Sequence, residues 1–161
     1  MDKKSILIVD DDAMTRLLLR EALPETHYAI LEAEDGSKAL SLFNEHAPDM
    51  VLLDVDLPKL NGFEVCKLIR QSAHGQNIPV VMITGMNDTE SIELAYRLGA
   101  TDFIVKPINW SLIRHHLRYV IRASSNFAAL KESELRLEHA QKIARLGYWE
   151  LHSDQDRLMM S

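Results

Sequence analysis

The 161-residue sequence contains a single cysteine, Cys66, and no long run of apolar residues. One cysteine excludes an internal disulfide, which is typical of proteins in a reducing compartment. No stretch approaches the roughly 18 apolar residues of a membrane-spanning helix. The first residues, MDKKS, also lack the apolar core of a signal peptide. We therefore expect a cytoplasmic protein with no membrane segment.

Positive charge is also scarce, since 18 Lys and Arg face 24 Asp and Glu and leave a net charge of −6. This balance argues against a nucleic-acid-binding surface, so we expect no direct nucleic-acid contact by this chain. The apolar content of 47% and the charged content of 26% are ordinary for a globular protein. The length suffices for one well-packed domain and an appendage.

Short apolar runs alternate with amphipathic segments along most of the chain. The predicted strands are 5–10, 28–33, 50–54, 79–84 and 102–106, and the predicted helices are 14–23, 36–46, 62–72, 89–98 and one that starts near Asn109. Such alternation requires parallel strands joined by right-handed crossovers, with helices on both faces. The first, third and fourth strands are the most apolar, as central strands should be. We therefore predict an α/β, flavodoxin-like, doubly wound sheet of five parallel strands in the order 2-1-3-4-5.

Polar side chains stand where these strands end. They are Asp10, Asp11 and Asp12 after the first strand, Asp54 at the third, Thr84 at the fourth and Lys106 at the fifth. Because the carboxyl ends of parallel strands share one edge of the sheet, these groups should converge on one pocket. Taken singly, each has a simpler explanation, such as a solvated helix cap or a surface lysine. Their common location instead predicts a functional site.

Clustered carboxylates of this kind suit a hard cation that prefers oxygen ligands and keeps several waters. We predict Mg²⁺, with Mn²⁺ as the alternative ion. Asp54 is the favoured nucleophile because it alone ends the central strand. A metal-bound carboxylate stays ionised and can attack phosphorus in line, while Lys106 helps to neutralise the phosphoryl oxygens.

Four segments together resemble the receiver domain of bacterial two-component response regulators. They are ILIVDDDAMTR (6–16), VLLDVDLPKLNGFEV (51–65), VVMITG (80–85) and GATDFIVKPI (99–108), and the resemblance covers about residues 4–122. It implies that a sensor histidine kinase or a histidine phosphotransfer protein supplies the phosphoryl group. It also implies a signalling domain, which catalyses only its own phosphorylation and dephosphorylation and is not an enzyme with a separate substrate.

The same resemblance implies roles for individual aspartates. Asp54 is the phospho-acceptor, and Asp10 and Asp11 form the acidic pair at the metal. We expect Asp11 to be a direct ligand and Asp10 to act mainly through water. Asp56 should offer its backbone carbonyl to the ion, whereas Asp12 is expected to cap the following helix.

A switch is implied at three further positions. The hydroxyl of Thr84 should contact the phosphoryl group together with Lys106. Phe103 matches the aromatic residue that turns inward behind this threonine in receivers, although a plain strand aromatic is an equal alternative. The sequence KPI indicates a cis peptide bond before Pro107, which would direct Lys106 into the pocket.

Two other classes of protein share parts of this set of motifs. DVDLP (54–58) also resembles the Asp-x-Asp of haloacid-dehalogenase-type phosphatases, but those enzymes carry their second acidic pair downstream of the lysine. At that place this chain has KPINWSL (106–112) instead. A pseudo-receiver that acts only as a binding module is the second alternative. It is disfavoured because the acidic, threonine and lysine set is complete.

The end of the chain predicts an extended C-terminal helix. The segment 124–146 is rich in strong helix formers, and apolar residues at 120, 123, 127, 130, 137 and 144 follow a period of about 3.5. This pattern favours a parallel homodimer over a lone solvated linker. Residues 133–161 resemble the start of a PAS sensory domain. We therefore expect a receiver at 1–122, a helical linker at 123–146 and a truncated PAS-like start at 147–161, with signals relayed along the linker to an effector.

Overall fold

The computed structural model describes residues 3–85 and 89–124 of the chain. The predicted linker beyond residue 124 and the PAS-like start therefore lie outside the described residues. None of the helices within the described ranges is long and apolar enough to cross a membrane.

Strands and helices alternate along the described chain as the sequence predicts. The strands are β1 (Lys4–Val9), β2 (Tyr28–Ala33), β3 (Met50–Asp54), β4 (Val80–Thr84) and β5 (Asp102–Val105). The helices are α1 (Ala13–Ala22), α2 (Gly36–His46), α3 (Gly62–Gln71), α4 (Thr89–Arg97) and α5 (110–124), with a short 3₁₀ turn at His74–Gln76. All neighbouring strands pair in parallel in the order β2-β1-β3-β4-β5. The predicted flavodoxin-like fold is confirmed.

The predicted strands 5–10 and 102–106 extend one residue too far at their carboxyl ends. Asp10 lies directly after β1, although its N–H still donates to the carbonyl of Ala33 at 3.1 Å. Lys106 lies directly after β5, and its N–H donates to the carbonyl of Thr84 at 2.7 Å. Both residues therefore keep a backbone bond to the neighbouring strand while the chain turns toward the next helix.

The sheet is covered on both faces, because neighbouring strand residues alternate between two apolar clusters. Leu7 belongs to the cluster that also contains residues of α2, α3 and α4, and Ile8 belongs to the cluster that contains residues of α1 and α5. Every residue of β3 and of β4 is buried. This burial explains why the central strands read as continuous apolar runs. Cys66 of α3 is fully buried within the first cluster, as a small core residue.

The start of α3 packs directly against the end of β3. Asn61 caps this helix, and its side chain accepts a hydrogen bond from the N–H of Glu64 at 3.0 Å. A Cβ atom added to Gly62 would lie only 2.3 Å from the carbonyl oxygen of Asp54. Glycine is therefore required here, because the absence of a Cβ lets the start of α3 approach the backbone of Asp54 closely.

Candidate functional site

Three predicted aspartates meet at the carboxyl edge of the sheet. Asp10 and Asp11 follow β1, and Asp54 ends β3, which is the neighbour of β1. Each contributes a carboxylate oxygen, and these oxygens lie within 4.8 Å of one another. Asp10 and Asp54 are buried, with 2% and 3% of their surface exposed, whereas Asp11 is exposed. The cluster is therefore buried on one side and open to solvent through Asp11.

Lys106 supplies positive charge to this pocket. Its Nζ lies 3.4 Å from Oδ2 of Asp10 and 3.5 Å from Oδ2 of Asp54. The peptide bond between Lys106 and Pro107 is cis, as the sequence predicted. One ammonium thus bridges the two buried carboxylates.

Thr84 and Phe103, the two predicted switch residues on strands, differ in burial. Thr84 ends β4 and is fully buried beside the strand that carries Asp54. Phe103 lies on β5 in register with Met82, and its partly buried side chain packs against the core cluster that contains Ala95. In the strand order, β4 and β5 lie on the same side of β3, so both residues lie on that side of Asp54.

Asp12 and Asp56 differ from the clustered aspartates. The carboxylate of Asp12 caps α1, since it accepts bonds from the N–H of Met14 at 3.2 Å and from the hydroxyl of Thr15 at 2.7 Å. The predicted capping role of Asp12 is confirmed. Asp56 is exposed, and its N–H donates to Oδ1 of Asp54 at 3.3 Å. Its side chain is not part of the carboxylate cluster found among the described residues.

Burial, together with closely spaced charges, shifts the pKa values of the groups in the pocket. Burial, reinforced by the charge of Asp10, raises the pKa of Asp54 to about 6. Burial also raises the pKa of Asp10, although the N–H of Asp12 and the charge of Lys106 oppose this rise. Burial disfavours the charged form of Lys106, but the attraction of Asp54 and Asp10 prevails and raises its pKa. Two buried carboxylates therefore share a single ammonium.

The donor set fits Mg²⁺. All three clustered side chains offer carboxylate oxygens, and oxygen is the ligand type that Mg²⁺ prefers. A divalent cation among them would favour the ionised forms of Asp54 and Asp10, whose pKa values are raised mainly by burial. The residues present thus agree with the chemistry of a magnesium site.

Two contacts of the pocket's surroundings have no clear signal in the sequence. Nη1 of Arg16, on α1, donates to the carbonyl oxygen of Asp10 at 2.6 Å. Lys59, in the loop after Asp54, has a positive φ of 70° and places its Nζ 3.4 Å from Oδ2 of Asp35 at the start of α2. The first contact links residues six apart across the turn from β1 to α1, and the second links two loops 24 residues apart. Both depend on how the loops fold, so periodicity could not reveal them.

The comparison with family models identifies the class of this chain. The response regulator receiver domain matches residues 6–118, which is more than two thirds of the chain. The chain therefore belongs to the response regulator receiver family. This is a family of signalling domains that interact with histidine kinases or phosphotransfer proteins and generally bind Mg²⁺ at an acidic pocket. Membership decides against the phosphatase interpretation of DVDLP.

Curated relatives include several transcriptional regulators. The chain is 36% identical over 126 residues to the probable transcriptional regulator ycf27 of Guillardia theta, a match that covers 78% of the chain and 48% of the relative. It is 33% identical over 118 residues to the transcriptional regulatory protein AfsQ1 of Streptomyces coelicolor, covering 73% of the chain and 51% of the relative. The chain thus spans about half the length of these relatives.

Solved receiver structures share the fold. The chemotaxis response regulator CheY4 of Vibrio cholerae matches with a TM-score of 0.69 and 28% identity, covering 74% of this chain and 99% of that one. The response regulator domain of Thermotoga maritima CheB matches with a TM-score of 0.68 and 29% identity, covering 78% and 98%. These neighbours agree with the five-stranded parallel order described above.

Proposed function

We propose that Asp54 is the phospho-acceptor of this receiver domain. The observation that carries this proposal is the buried carboxylate of Asp54 beside the ammonium of Lys106, at 3.5 Å, on the edge that also holds Asp10 and Asp11. An anion that must accept a further anionic group needs nearby positive charge, and this arrangement supplies it. The donor would be a phosphohistidine on a sensor histidine kinase or a histidine phosphotransfer protein.

The proposed reaction is a phosphoryl transfer between two side chains. A carboxylate oxygen of Asp54 forms a bond to phosphorus while the P–N bond of the phosphohistidine breaks, and the electron pair of that bond stays on the imidazole. Lys106 neutralises charge on the phosphoryl oxygens, and the hydroxyl of Thr84 donates to one of them. The signal ends by hydrolysis. Water attacks the phosphorus, the P–O bond to Asp54 breaks, and inorganic phosphate and the free carboxylate are released.

We propose that the side chains of Asp10, Asp11 and Asp54 hold Mg²⁺, with Mn²⁺ as the alternative ion and the backbone carbonyl of Asp56 as a further ligand. The bound ion supplies positive charge that keeps the carboxylates ionised and offsets the charge of the phosphoryl oxygens. Asp12 receives no ligand role, because its carboxylate is engaged at the start of α1. Asp11→Ala should therefore weaken Mg²⁺ binding far more than Asp12→Ala. Equal dissociation constants in a calorimetric titration would contradict this ranking.

A test of the acceptor function needs no cognate kinase. Acetyl phosphate with Mg²⁺ should add one phosphoryl group to the protein, as seen by intact-mass measurement, and EDTA should prevent the addition. A pseudo-receiver would remain unmodified in both conditions. Continuous release of phosphate without a stable modified protein would instead favour a phosphatase.

The switch residues are proposed to be Thr84, Phe103 and Pro107. Once Asp54 is phosphorylated, Thr84 would move toward the phosphoryl group, and Phe103 would take up the space behind it. Phe103 is partly buried against the core and lies on β5, which pairs with the strand that carries Thr84. Pro107 follows Lys106 directly, and we propose that its restricted backbone fixes the direction of the chain after this lysine.

We propose that the output lies in other parts of a longer cytoplasmic protein. In this arrangement the receiver spans 1–122, a helical linker spans 123–146 and a PAS-like domain starts at 147. The helix α5, which is described to residue 124, supports a helical exit from the receiver. Phosphorylation of Asp54 would favour a homodimer formed through the linker helix, and this change would pass the signal to an effector.

Light scattering of the full 161-residue chain tests this relay. With beryllofluoride and Mg²⁺ the chain should form dimers, and a truncation after residue 124 should lose them. A monomer in both states would contradict the relay without affecting the assignment of Asp54.

A further inference from the structure

The carbonyl of Asp10 has an unusual partner. Arg16, one turn into α1, donates from Nη1 to this oxygen at 2.6 Å, and only 16% of the arginine side chain is exposed. Nε of the same guanidinium lies 3.2 Å from Oε1 of Glu32 on β2. Glu32 also accepts from Nη1 of Arg20 at 2.6 Å. An ion-pair network between α1 and β2 thus holds one guanidinium against the backbone of the acidic pocket.

Each of the four polar atoms of Asp10 has its own partner residue. Its N–H donates to Ala33 at 3.1 Å, its Oδ1 accepts from the N–H of Asp12 at 2.8 Å, and its Oδ2 lies 3.4 Å from Lys106. Arg16 completes this set at the carbonyl. The carboxylate and the main chain of Asp10 are therefore fixed independently of each other.

The bond from Arg16 also determines how Asp11 is presented. The carbonyl of Asp10 and the N–H of Asp11 lie in one planar peptide unit, so a fixed carbonyl direction fixes the plane from which Asp11 departs. The exposed carboxylate of Asp11 has no burial to hold it in place. Its alignment with the carboxylates of Asp10 and Asp54 consequently depends on the orientation of its backbone.

We infer that Arg16 is a positioning residue, which orients the Asp10–Asp11 peptide unit so that the aspartates are arranged for Mg²⁺ before the ion binds. This inference rests on the metal site proposed above. The arginine fork is needed because Nη1 and Nε serve two acceptors at once, the carbonyl of Asp10 and the carboxylate of Glu32. A lysine at this position offers a point charge that cannot hold both acceptors in fixed directions.

Calorimetric titration of Mg²⁺ compares the wild type with Arg16→Met, Arg16→Lys and the control Arg20→Met. Arg16→Met keeps an apolar stem but loses the donor to the carbonyl of Asp10. Removal of a group that orients metal ligands typically weakens metal binding by about 10-fold or more, so we expect at least about 10-fold weaker binding of Mg²⁺. Arg16→Lys should fall between Arg16→Met and the wild type. Arg20→Met removes a neighbouring partner of Glu32 but leaves the bond to Asp10, so its affinity should stay within about two-fold of the wild type.

Phosphorylation by acetyl phosphate separates positioning from a general loss of structure. In Arg16→Met the Mg²⁺ concentration for half-maximal rate should rise, while the rate at saturating Mg²⁺ stays within about two-fold of the wild type, because a positioning defect is overcome by excess ion. Unchanged Mg²⁺ affinity in both Arg16 variants, or an equal loss in Arg20→Met, would overturn the role of Arg16. Absence of Mg²⁺ binding by the wild type would overturn the proposed metal site and this inference with it.

Discussion

Asp54→Asn should stabilise the folded protein in the absence of divalent ions. Burial and the neighbouring charge of Asp10 raise the pKa of Asp54 from its ordinary value of 3.8 to about 6. At neutral pH the ionised carboxylate is therefore less favourable in the folded protein than in the unfolded chain. A shift of this size corresponds to about 3 kcal/mol, which the uncharged amide would relieve in part, so we expect a gain of about 1–3 kcal/mol in the free energy of unfolding. Lys106 keeps a carboxylate partner in this variant, because its Nζ is also 3.4 Å from Asp10.

The pH dependence of this gain has a definite sign. A carboxyl group whose pKa is higher in the folded state binds protons more tightly there, so lowering the pH stabilises the folded protein. The penalty of Asp54 is fully present above its folded pKa of about 6 and disappears below the unfolded value of 3.8. The difference in stability between Asp54→Asn and the wild type should therefore shrink as the pH falls through this window.

Urea unfolding in EDTA, followed by circular dichroism from about pH 7.5 to about pH 4.5, measures this difference. The matched control is Asp56→Asn, which removes an exposed carboxylate two residues away and should change the free energy of unfolding by less than about 0.5 kcal/mol. An Asp54→Asn protein that is no more stable than the wild type at the upper pH would refute the reasoning. A difference that stays constant across the pH range would refute it as well.

Three further predictions concern the residues around the acceptor. Gly62→Ala should lower the free energy of unfolding by at least about 2 kcal/mol, because the new Cβ would lie 2.3 Å from a carbonyl oxygen. The control is Gly85→Ala, which has no atom within 4 Å of the new Cβ and should change the free energy of unfolding by less than about 1 kcal/mol in the same urea experiment. Asp12→Ala should lower the unfolding free energy by about 1 kcal/mol through loss of the α1 cap, again by urea unfolding. Lys106→Met should raise the pKa of Asp54 further, since it removes an attraction that lowers this pKa, and an NMR titration of the carboxyl carbon that showed no rise would contradict the electrostatic account.

The fold and the convergence of the site follow from local features of the sequence. Continuous apolar runs distinguish the buried strands β3 and β4, and amphipathic segments mark the helices between strands. Asp54 and Thr84 end these two strands, so the parallel arrangement itself brings them to one edge. The capping role of Asp12 is equally local, because its partners lie two and three residues ahead.

The contacts that tune the site could not be predicted in this way. The bond from Arg16 to the carbonyl of Asp10 depends on how α1 lies over the end of β1, and its support by Glu32 depends on the register of β2. Away from the site, His116 of α5 contacts the carboxylate of Asp102 at the start of β5, which the sequence does not indicate either. Side-chain bonds between separate elements leave no periodic trace in the sequence, so only the packed structure reveals them.

Chemical trapping of the phosphorylated residue tests the central proposal most directly. An aspartyl phosphate is an acyl phosphate, which borohydride reduces to homoserine, so the modified position can be read by peptide mapping after treatment with acetyl phosphate and Mg²⁺. We predict homoserine at position 54 in the wild type and no reduced residue in Asp54→Asn. Reduction at Asp10, Asp11 or Asp56, or stoichiometric phosphorylation of Asp54→Asn, would contradict the assignment of Asp54 as the acceptor.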